Sequence, residues 1–415
     1  MNVLYICQDY GIPVLGSKGS SVHVREMIAA LHRAGHAVAL LAPATTGTVW
    51  AEPARVDAQF LHIPAGEEAL DSVQAVEAYC AELEIDSDLA RDVRRILYDR
   101  YLQAKLLRKF SKSPPDFIYA RAALHSVAPV ALAQQTGRPL LVELNAPLVA
   151  ENVAYRAGGN VKLASAAERK LLCAAAAVLA VSKPLAEHAI ACGVNPERVH
   201  VVANAVDPRV FFPAPRDPDY RADLGLGDGP VLGFVGGLRQ WHGVEILPEL
   251  LRRLVSRFPT AQLVIAGSGP LETSLRQSLA KLGLGNHALF TGALEHGSVA
   301  RLIREFDIAL APYPQLDHSF YFSPLKLFEY MACGGAVVAA DVGQISEVVD
   351  HGATGLLYPA GNLDELVGRC EAILLDPSLQ QALGAKAASE ILANFTWDQN
   401  AARVIEIARA SGDKS

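Results

Sequence analysis

From its first residues to its far end, the chain alternates short apolar runs with longer helical patterns. Parallel strands covered on both faces read as unbroken apolar runs, and each needs a crossover segment to reach the next, so this alternation predicts βαβ units and mostly parallel sheets. In the first half the runs are Asn2 to Cys7, Ala37 to Ala42, Phe117 to Ala120, Leu140 to Glu143, Ala177 to Val181 and Val199 to Val202. In the second half they are Val231 to Val235, Ala261 to Ala266, Ala288 to Phe290, Ile308 to Pro312, Ala336 to Ala339 and Gly355 to Tyr358. Each half predicts its own Rossmann-like sheet. Between them, Asp207 to Pro230 clusters prolines, glycines and charges and breaks every period, as a linker would. The expected division is a first domain over 1–207, a linker over 208–230 and a second domain over 231–392. A closing segment, 393–415, carries a helical stripe of Val404, Ile405, Ile407 and Ala408 and is expected to pack back toward the first domain. A length of 415 residues suits two such cores better than one.

The 37 basic and 44 acidic residues leave a net charge of −7, so no global positive field exists to hold nucleic acid, and any anion site must be local. The six cysteines are scattered with no Cys-x-x-Cys pair, which fits a reducing compartment. MNVLYICQDYG lacks a basic leader region and reads as a first strand rather than a signal peptide. The longest apolar run, Leu171 to Val181, is about half of the ~20 residues needed to span a bilayer, and reads as a helix end running into a strand. The expectation is a cytoplasmic protein, at most peripheral on a membrane. One segment departs from the acidic balance: Arg91 to Lys112 is a basic helical pattern with Val93, Ile96, Leu97, Leu107 and Phe110 on one face. It reads either as a solvated helix packed on its own domain or as a docking face for an anionic membrane or a lipid-phosphate acceptor.

Fold rules place ligands beyond the carboxyl ends of parallel strands, so the loops after the strands are where chemistry is expected. After the first strand a loop with Gly11, Gly16 and Gly19 opens an amphipathic helix, with Ser20 or Ser21 as the expected N-cap. VLGFVGGLRQWHGVEILPELL repeats the strand, glycine turn and helix in the second half, with Arg239 and His242 on the turn. A cation beside free amides suits the charge that builds on a departing diphosphate; an exposed arginine near a packed Trp241 is the plainer reading. LVIAGSGP ends a strand in Gly267, Ser268 and Gly269, where backbone can approach a ligand, although tight packing alone would account for it. Ser323 and Pro324 mark a helix start, followed by Leu325, Lys326 and Glu329. Lys326 and Glu329, at i and i+3, are either a surface ion pair or a phosphate cation and a carboxylate for ribose hydroxyls. In the first half, VELNAP holds Glu143 and Asn145, with Glu151 and Arg156 further on. Asn145 offers a hydrogen bond to a sugar hydroxyl or merely shapes a turn, and Glu143, Glu151 and Arg156 are candidates for orienting an acceptor.

The run from Gly233 to Leu251, AGSGP, and SPLKLFEYMACGGAVVAADVGQISEVVDHGATGLLYPAGN together resemble glycosyltransferase family 4, the retaining GT-B enzymes. GHAVALLAP, VSKPLAEHAIACGVNPERVHVVANAVD and the terminal FTWDQNAARVIEI extend the resemblance over nearly the whole chain. It implies two Rossmann-like domains facing across a cleft, with the second gripping a nucleotide-diphosphate sugar and the first presenting the acceptor, whether saccharide, lipid-linked or small molecule. By the resemblance Glu329 is the ribose ligand, the second of two glutamates eight positions apart, while Tyr321 stands in place of the first. Gly237 and His242 occupy the positions of the family's diphosphate-flanking arginine and lysine, which leaves the charge to Arg239 and Lys326. Asn145 stands where many relatives carry a histidine at the donor sugar.

No carboxylate pair is singled out for glycosidase chemistry. The Asp-x-Asp matches, at Asp86 to Asp88 and Asp217 to Asp219, lack a strand-end setting, so neither cofactor nor essential metal is expected. The alternatives that stay open are a nucleotide-sugar epimerase or phosphorylase-like enzyme of the same architecture, and a non-catalytic nucleotide-sugar-binding protein.

Overall fold

The computed structural model describes residues 1–45, 55–85, 89–155 and 159–412. By its contacts the chain forms two compact units, Met1–Ala203 together with Asp398–Ser415, and Asn204–Trp397. In the first unit the strands are β1 (Asn2–Ile6), β2 (Ala37–Ala42), β3 (Gln59–His62), β4 (Phe117–Arg121), β5 (Leu140–Leu144), β6 (Ala177–Ala180) and β7 (Val199–Val201). Its helices are α1 (Gly19–Arg33), α2 (Glu67–Glu82), α3 (Leu89–Phe110), α4 (Ala128–Thr136), α5 (Leu148–Tyr155), α6 (Val161–Ala174) and α7 (Lys183–Ala191). The strands pair in the order β3-β2-β1-β4-β5-β6-β7, all parallel, with Val3 opposite Val38 on one side and Phe117 on the other. Val3, Leu4, Tyr5 and Ile6 are all buried, because helices cover both faces of the sheet.

The second unit contains β8 (Val231–Val235), β9 (Gln262–Ala266), β10 (Ala288–Gly292), β11 (Ile308–Ala311), β12 (Val337–Ala340) and β13 (Leu356–Tyr358). Its sheet runs β10-β9-β8-β11-β12-β13, again parallel throughout. The helices are α8 (Pro218–Asp223), α9 (Leu247–Arg257), α10 (Glu272–Lys281), α11 (His296–Ile303), α12 (Leu325–Ala332), α13 (Ile345–Val348), α14 (Leu363–Leu375) and α15 (Pro377–Asn394), followed by α16 (Trp397–Gly412). In α9, Leu247, Leu250, Leu251 and Leu254 are buried at helical spacing, while Arg252 and Arg253 on the outer side reach back to Glu249. Gly233 in the middle of β8 makes room for a ring: a Cβ there would lie 2.1 Å from the Phe306 side chain.

Four elements differ from expectation. The edge strand β3 has no apolar run to announce it. Within 208–230, expected as linker, Asp217 caps α8 by accepting the Tyr220 amide, and the segment belongs to the second unit. Helix α1 begins at Gly19 behind Lys18, so neither Ser20 nor Ser21 is its cap; both lie inside the first turn, and the Ser21 side chain is buried. The helix expected directly on the glycine turn after β8 starts only at Leu247. Gly243, at φ +66°, breaks the path into two short 3-10 turns, Gln240–His242 and Val244–Ile246. Residues from Asp398 onward pack in the first unit, where Asp398 pairs with Arg33 and Asn400 donates to the Ala203 carbonyl. Among the described residues no helix is long and apolar enough to cross a membrane.

Gly243 supplies a test of this loop geometry. A Cβ at that position would lie 1.8 Å from the Pro312 carbonyl oxygen, on a backbone that only glycine adopts without strain. Gly243→Ala is expected to destabilise the protein by ~2–4 kcal/mol, read as a lower urea midpoint with an unchanged slope.

Candidate active site

The order of the second sheet reverses between β8 and β11, the place where open parallel sheets bind ligands. Two loops, those after β8 and β9, meet there backbone to backbone. The Gly236 amide donates to Ala266 at the end of β9, the Leu238 amide donates to Ser268, and the Leu271 amide returns to Leu238. A Cβ on Gly267 would sit 2.0 Å from the Gly236 carbonyl oxygen, and one on Gly269 would sit 2.4 Å from that of Leu238. The small residues of the Gly267, Ser268 and Gly269 turn thus serve loop packing first, and Ser268 is exposed.

Helix α12 is seated against this junction by Tyr330, whose hydroxyl accepts the Val235 amide at 2.6 Å. Pro324 occupies its N-cap, and the Ser323 hydroxyl oxygen accepts the Asn204 amide at 2.9 Å. Leu325 opens the helix and is half-buried. One residue further, the Lys326 ammonium lies 4.0 Å from the centroid of the Phe234 ring and 5.5 Å from that of Tyr313, has no hydrogen-bond partner, and is 7% exposed. It presses on Gly236, where a Cβ would come within 2.6 Å of the nitrogen. Burial lowers its pKa to about 7, against the opposing pull of the Glu329 carboxylate. Glu329 is not bonded to this lysine. Its Oε1 lies 2.9 Å from Nε2 of His296, at the start of α11.

His242 is not a cation here. Burial and the nearby Lys326 lower its pKa to about 3, and its Nδ1 lies 2.5 Å from the Gly237 carbonyl, which can only accept, so the proton sits on Nδ1. Its role in the fold is to pin Gly237. Arg239 is exposed, with its guanidinium 5.2 Å from the Trp241 ring centroid. Tyr321, in place of a family glutamate, is buried, stacks on His318 and lies tilted against Phe322.

In the first unit the structure draws Glu143 and Asn145 into one buried cluster at the end of β5. Glu143 is 2% exposed and takes hydrogen bonds from Arg121, Tyr119, Tyr5 and Asn145, with His23 Nε2 at 2.8 Å. Burial alone would raise its pKa, but His23 and Arg121 hold the carboxyl well below the usual range. With both oxygens engaged, Glu143 does not fit its expected place as an acceptor ligand; it orients Asn145. Since the Asn145 Nδ2 donates to Glu143, its Oδ1 is the end left to accept. Glu151, on α5, lines a pocket with Gln8, Asp9 and Tyr10, while Arg156 lies outside the described residues. Gly16 is buried and its carbonyl accepts from Arg25, whereas Gly19 is exposed as the first residue of α1. His125, beyond β4, holds φ +60°, a strained conformation for a residue with a side chain.

Of the Asp-x-Asp matches, Asp217 is spent as the cap of α8 and on Arg301, and Asp86 to Asp88 lie outside the described residues. One group among the described residues has ligand atoms close enough for a metal: Glu168, His188 and Cys192, on α6 and α7. Sequence reasoning missed His296, Phe234 and Tyr313, which lie on a helix start, a strand and a loop and share no spacing. Only the position of each at or near a strand end hints at it.

A crystal structure of Anabaena HepE (Alr3699) in complex with UDP matches this chain at a TM-score of 0.71 and 19% identity, covering 99% of this chain and 100% of that one. The two parallel-sheet units are accordingly those of the GT-B fold. Residues 18–205 match the model of the "Glycosyl transferase 4-like domain" and residues 217–390 that of "Glycosyl transferases group 1". The chain therefore belongs to glycosyltransferase family 4, the retaining enzymes that use nucleotide sugars. It is 29% identical over 275 residues to alpha-maltose-1-phosphate synthase of Mycolicibacterium smegmatis, covering 62% of this chain and 68% of that protein. It is 30% identical over 224 residues to D-inositol 3-phosphate glycosyltransferase of Jonesia denitrificans, 51% of each, so it spans about half the length of that relative.

The isolated ammonium has a measurable cost to the fold. Lys326→Met is expected to raise stability by ~2–4 kcal/mol at pH 6, where the native lysine is charged, buried and unpaired. Because the native pKa is about 7 and the unfolded one is ordinary, the gap should be largest below pH 7 and close as pH rises toward the unfolded value. Urea melts of both proteins across that range read this directly.

Proposed function

We propose that the second unit holds a nucleotide-diphosphate sugar and that the first presents a hydroxyl-bearing acceptor, onto which the glycosyl group passes with retention. The domain roles follow the same division: residues 1–207 for the acceptor, 231–392 for the donor, 208–230 as connection and 393–415 as the closing segment. The observation that carries this reading is the Lys326 ammonium, enclosed by Phe234 and Tyr313 with no acceptor for its protons. A diphosphate would provide that acceptor.

Lys326, Arg239 and the first amides of α12, at Leu325 and Lys326, would together hold the phosphates, supported by the neighbouring Gly237, His242, Gly267, Ser268 and Gly269 backbone. Glu329, steadied by His296, would accept the ribose hydroxyls. Asn145 Oδ1 would accept from a hydroxyl of the transferred sugar. As the C1–O bond to the diphosphate breaks and the acceptor oxygen bonds to C1 on the same face, the acceptor's hydroxyl proton passes to the departing diphosphate. The protein's share is placement and fixed positive charge, with no proton-transfer residue and no metal called for. Cell-surface polysaccharide or glycoconjugate synthesis in the cytoplasm is the setting this suggests. A lipid-linked acceptor would bring the exposed parts of Arg91 to Lys112 to a membrane face, although Arg95 is paired with Asp92, Arg100 with Asp99, and Arg94 lies over Tyr10.

Lys326→Ala and Glu329→Ala should each reduce transfer at least ~100-fold with the circular dichroism spectrum unchanged; wild-type turnover in both would refute the assignment. Product analysis separates this activity from epimerisation, which would convert donor without any acceptor. Diphosphate binding must also protonate Lys326. Affinity for UDP, GDP, ADP or TDP, whichever raises the melting temperature, should fall by about tenfold per pH unit above pH 7, and Lys326→Arg should flatten that slope. Calorimetric titrations at several pH values test it.

A further inference from the structure

Helices α6 and α7 come before and after β6 in the first unit, and they bring three ligating side chains together. His188 and Cys192 stand at i and i+4, so they share one face of α7. Cys192 is the C-cap of that helix, still near helical geometry at φ −71° and ψ −7°, with its amide donating to the His188 carbonyl at 2.9 Å. Across from them on α6 is Glu168, 9% exposed. The Cys192 sulfur lies 3.7 Å from Nε2 of His188, and Glu168 Oε2 lies 3.3 Å from the same nitrogen. All three ligand atoms fall within 4.8 Å of one another. Cys173 is not part of the group; its thiol is turned to the Cys192 carbonyl at 3.5 Å.

Hydrogen bonding alone leaves this group unbalanced. One imidazole nitrogen carries at most one proton, yet a carboxylate oxygen and a sulfur converge on it. If Nε2 is protonated it serves one of them; if it is bare the thiol can donate to it, and the carboxylate oxygen then faces a lone pair. In either case Glu168 Oε1 stays buried with no hydrogen-bond partner. A cation on the lone pair of Nε2 meets all three side chains at once. Around a tetrahedral zinc ion, bonds of ~2.0 Å to nitrogen and oxygen and ~2.3 Å to sulfur place the nitrogen ~3.3 Å from the oxygen and ~3.5 Å from the sulfur. The observed separations of 3.3 and 3.7 Å match both edges closely. A thiolate and a carboxylate supply two negative charges, against the positive charge of Arg169, whose Nε donates to the Cys192 carbonyl at 2.9 Å. Sulfur, imidazole nitrogen and carboxylate oxygen together suit zinc rather than magnesium or calcium, which take oxygen ligands.

The geometry points to a zinc site outside the transfer chemistry: Glu168, His188 and Cys192 hold one Zn²⁺ between α6 and α7, with a fourth position open to water. Helix α7 starts just beyond the carboxyl end of β6 and Cys192 closes its other end, so the ion lies away from the edge of the sheet where substrates are expected. Its effect is to clamp the two helices together. The competitor for the site is a proton, because Cys192 and Glu168 raise the His188 pKa to about 10. The metal displaces that proton and binds more tightly as pH rises.

The full chain, stripped of metal with a chelator, would be titrated with Co²⁺ as a spectroscopic stand-in, and with Zn²⁺ against a chromophoric competitor. Expected are one bound equivalent, a sulfur-to-cobalt charge-transfer band, and a melting temperature raised by Zn²⁺. Cys192→Ser should abolish the band, and Glu168→Gln and His188→Gln should each weaken Zn²⁺ binding at least ~10-fold. Cys173→Ser should leave all of these readings unchanged. No bound equivalent, a band that survives Cys192→Ser, or wild-type Zn²⁺ affinity in Glu168→Gln would overturn the site and leave a plain ion pair between the helices.

Discussion

An ammonium group withdrawn from water and given no hydrogen-bond acceptor is unstable unless something compensates it, and the second unit is arranged around one such group. Lys326 is carried in by α12, which Tyr330 ties to the end of β8, and its nitrogen is enclosed by the Phe234 and Tyr313 rings. Contact with aromatic faces recovers a part of the lost hydration. The remainder is left uncompensated in the protein by itself, which is the condition under which an anionic ligand gains most from arriving. The neutral state of His242 follows from the same cause, since a second buried cation beside the first would add repulsion to desolvation.

The first unit treats its buried charge in the opposite manner. Glu143 is enclosed as completely as Lys326, yet Arg121, His23, Tyr5, Tyr119 and Asn145 surround it. A carboxylate satisfied on every side has nothing to offer a ligand directly, and its influence passes through the neighbours it fixes. Among the described residues of that unit, the buried polar atoms without a partner include Gln8 Oε1 and the Tyr10 hydroxyl, just beyond the end of β1, together with the Arg94 Nε over the Tyr10 ring.

Most of the architecture was legible in the sequence because strands buried on both faces must be apolar throughout, and twelve such runs stand out between helical patterns. Strand β3 was not, since an edge strand with half-exposed residues needs no such run. The Gly-rich turn after β8 was read as opening a helix; what intervened was Gly243, whose missing side chain is required by the Pro312 carbonyl rather than by the helix start. Spacing placed Lys326 and Glu329 on one helix, as α12 has them, but the partner of Glu329 is His296, which sits 33 residues away along the chain. Glu143 and Asn145 were read separately, as an acceptor-orienting carboxylate and a sugar contact or turn residue; that they bond to each other follows from the burial of the carboxylate at the end of β5, which the sequence does not display. Contacts made between loops through shape, such as those of Gly267 and Gly269, leave no periodic trace.

The chain leaves the first unit at Ala203 and re-enters it at Asp398, with the whole of the second unit as one uninterrupted stretch between. During synthesis on the ribosome, every residue the second unit needs is available once Trp397 has emerged, so it can close as a unit of its own. The first unit, although its seven strands are made earlier, gains the contacts to Arg33 and Ala203 only when the C-terminal residues emerge. The half of the protein that is translated first is thus the half that receives its last segment at the end.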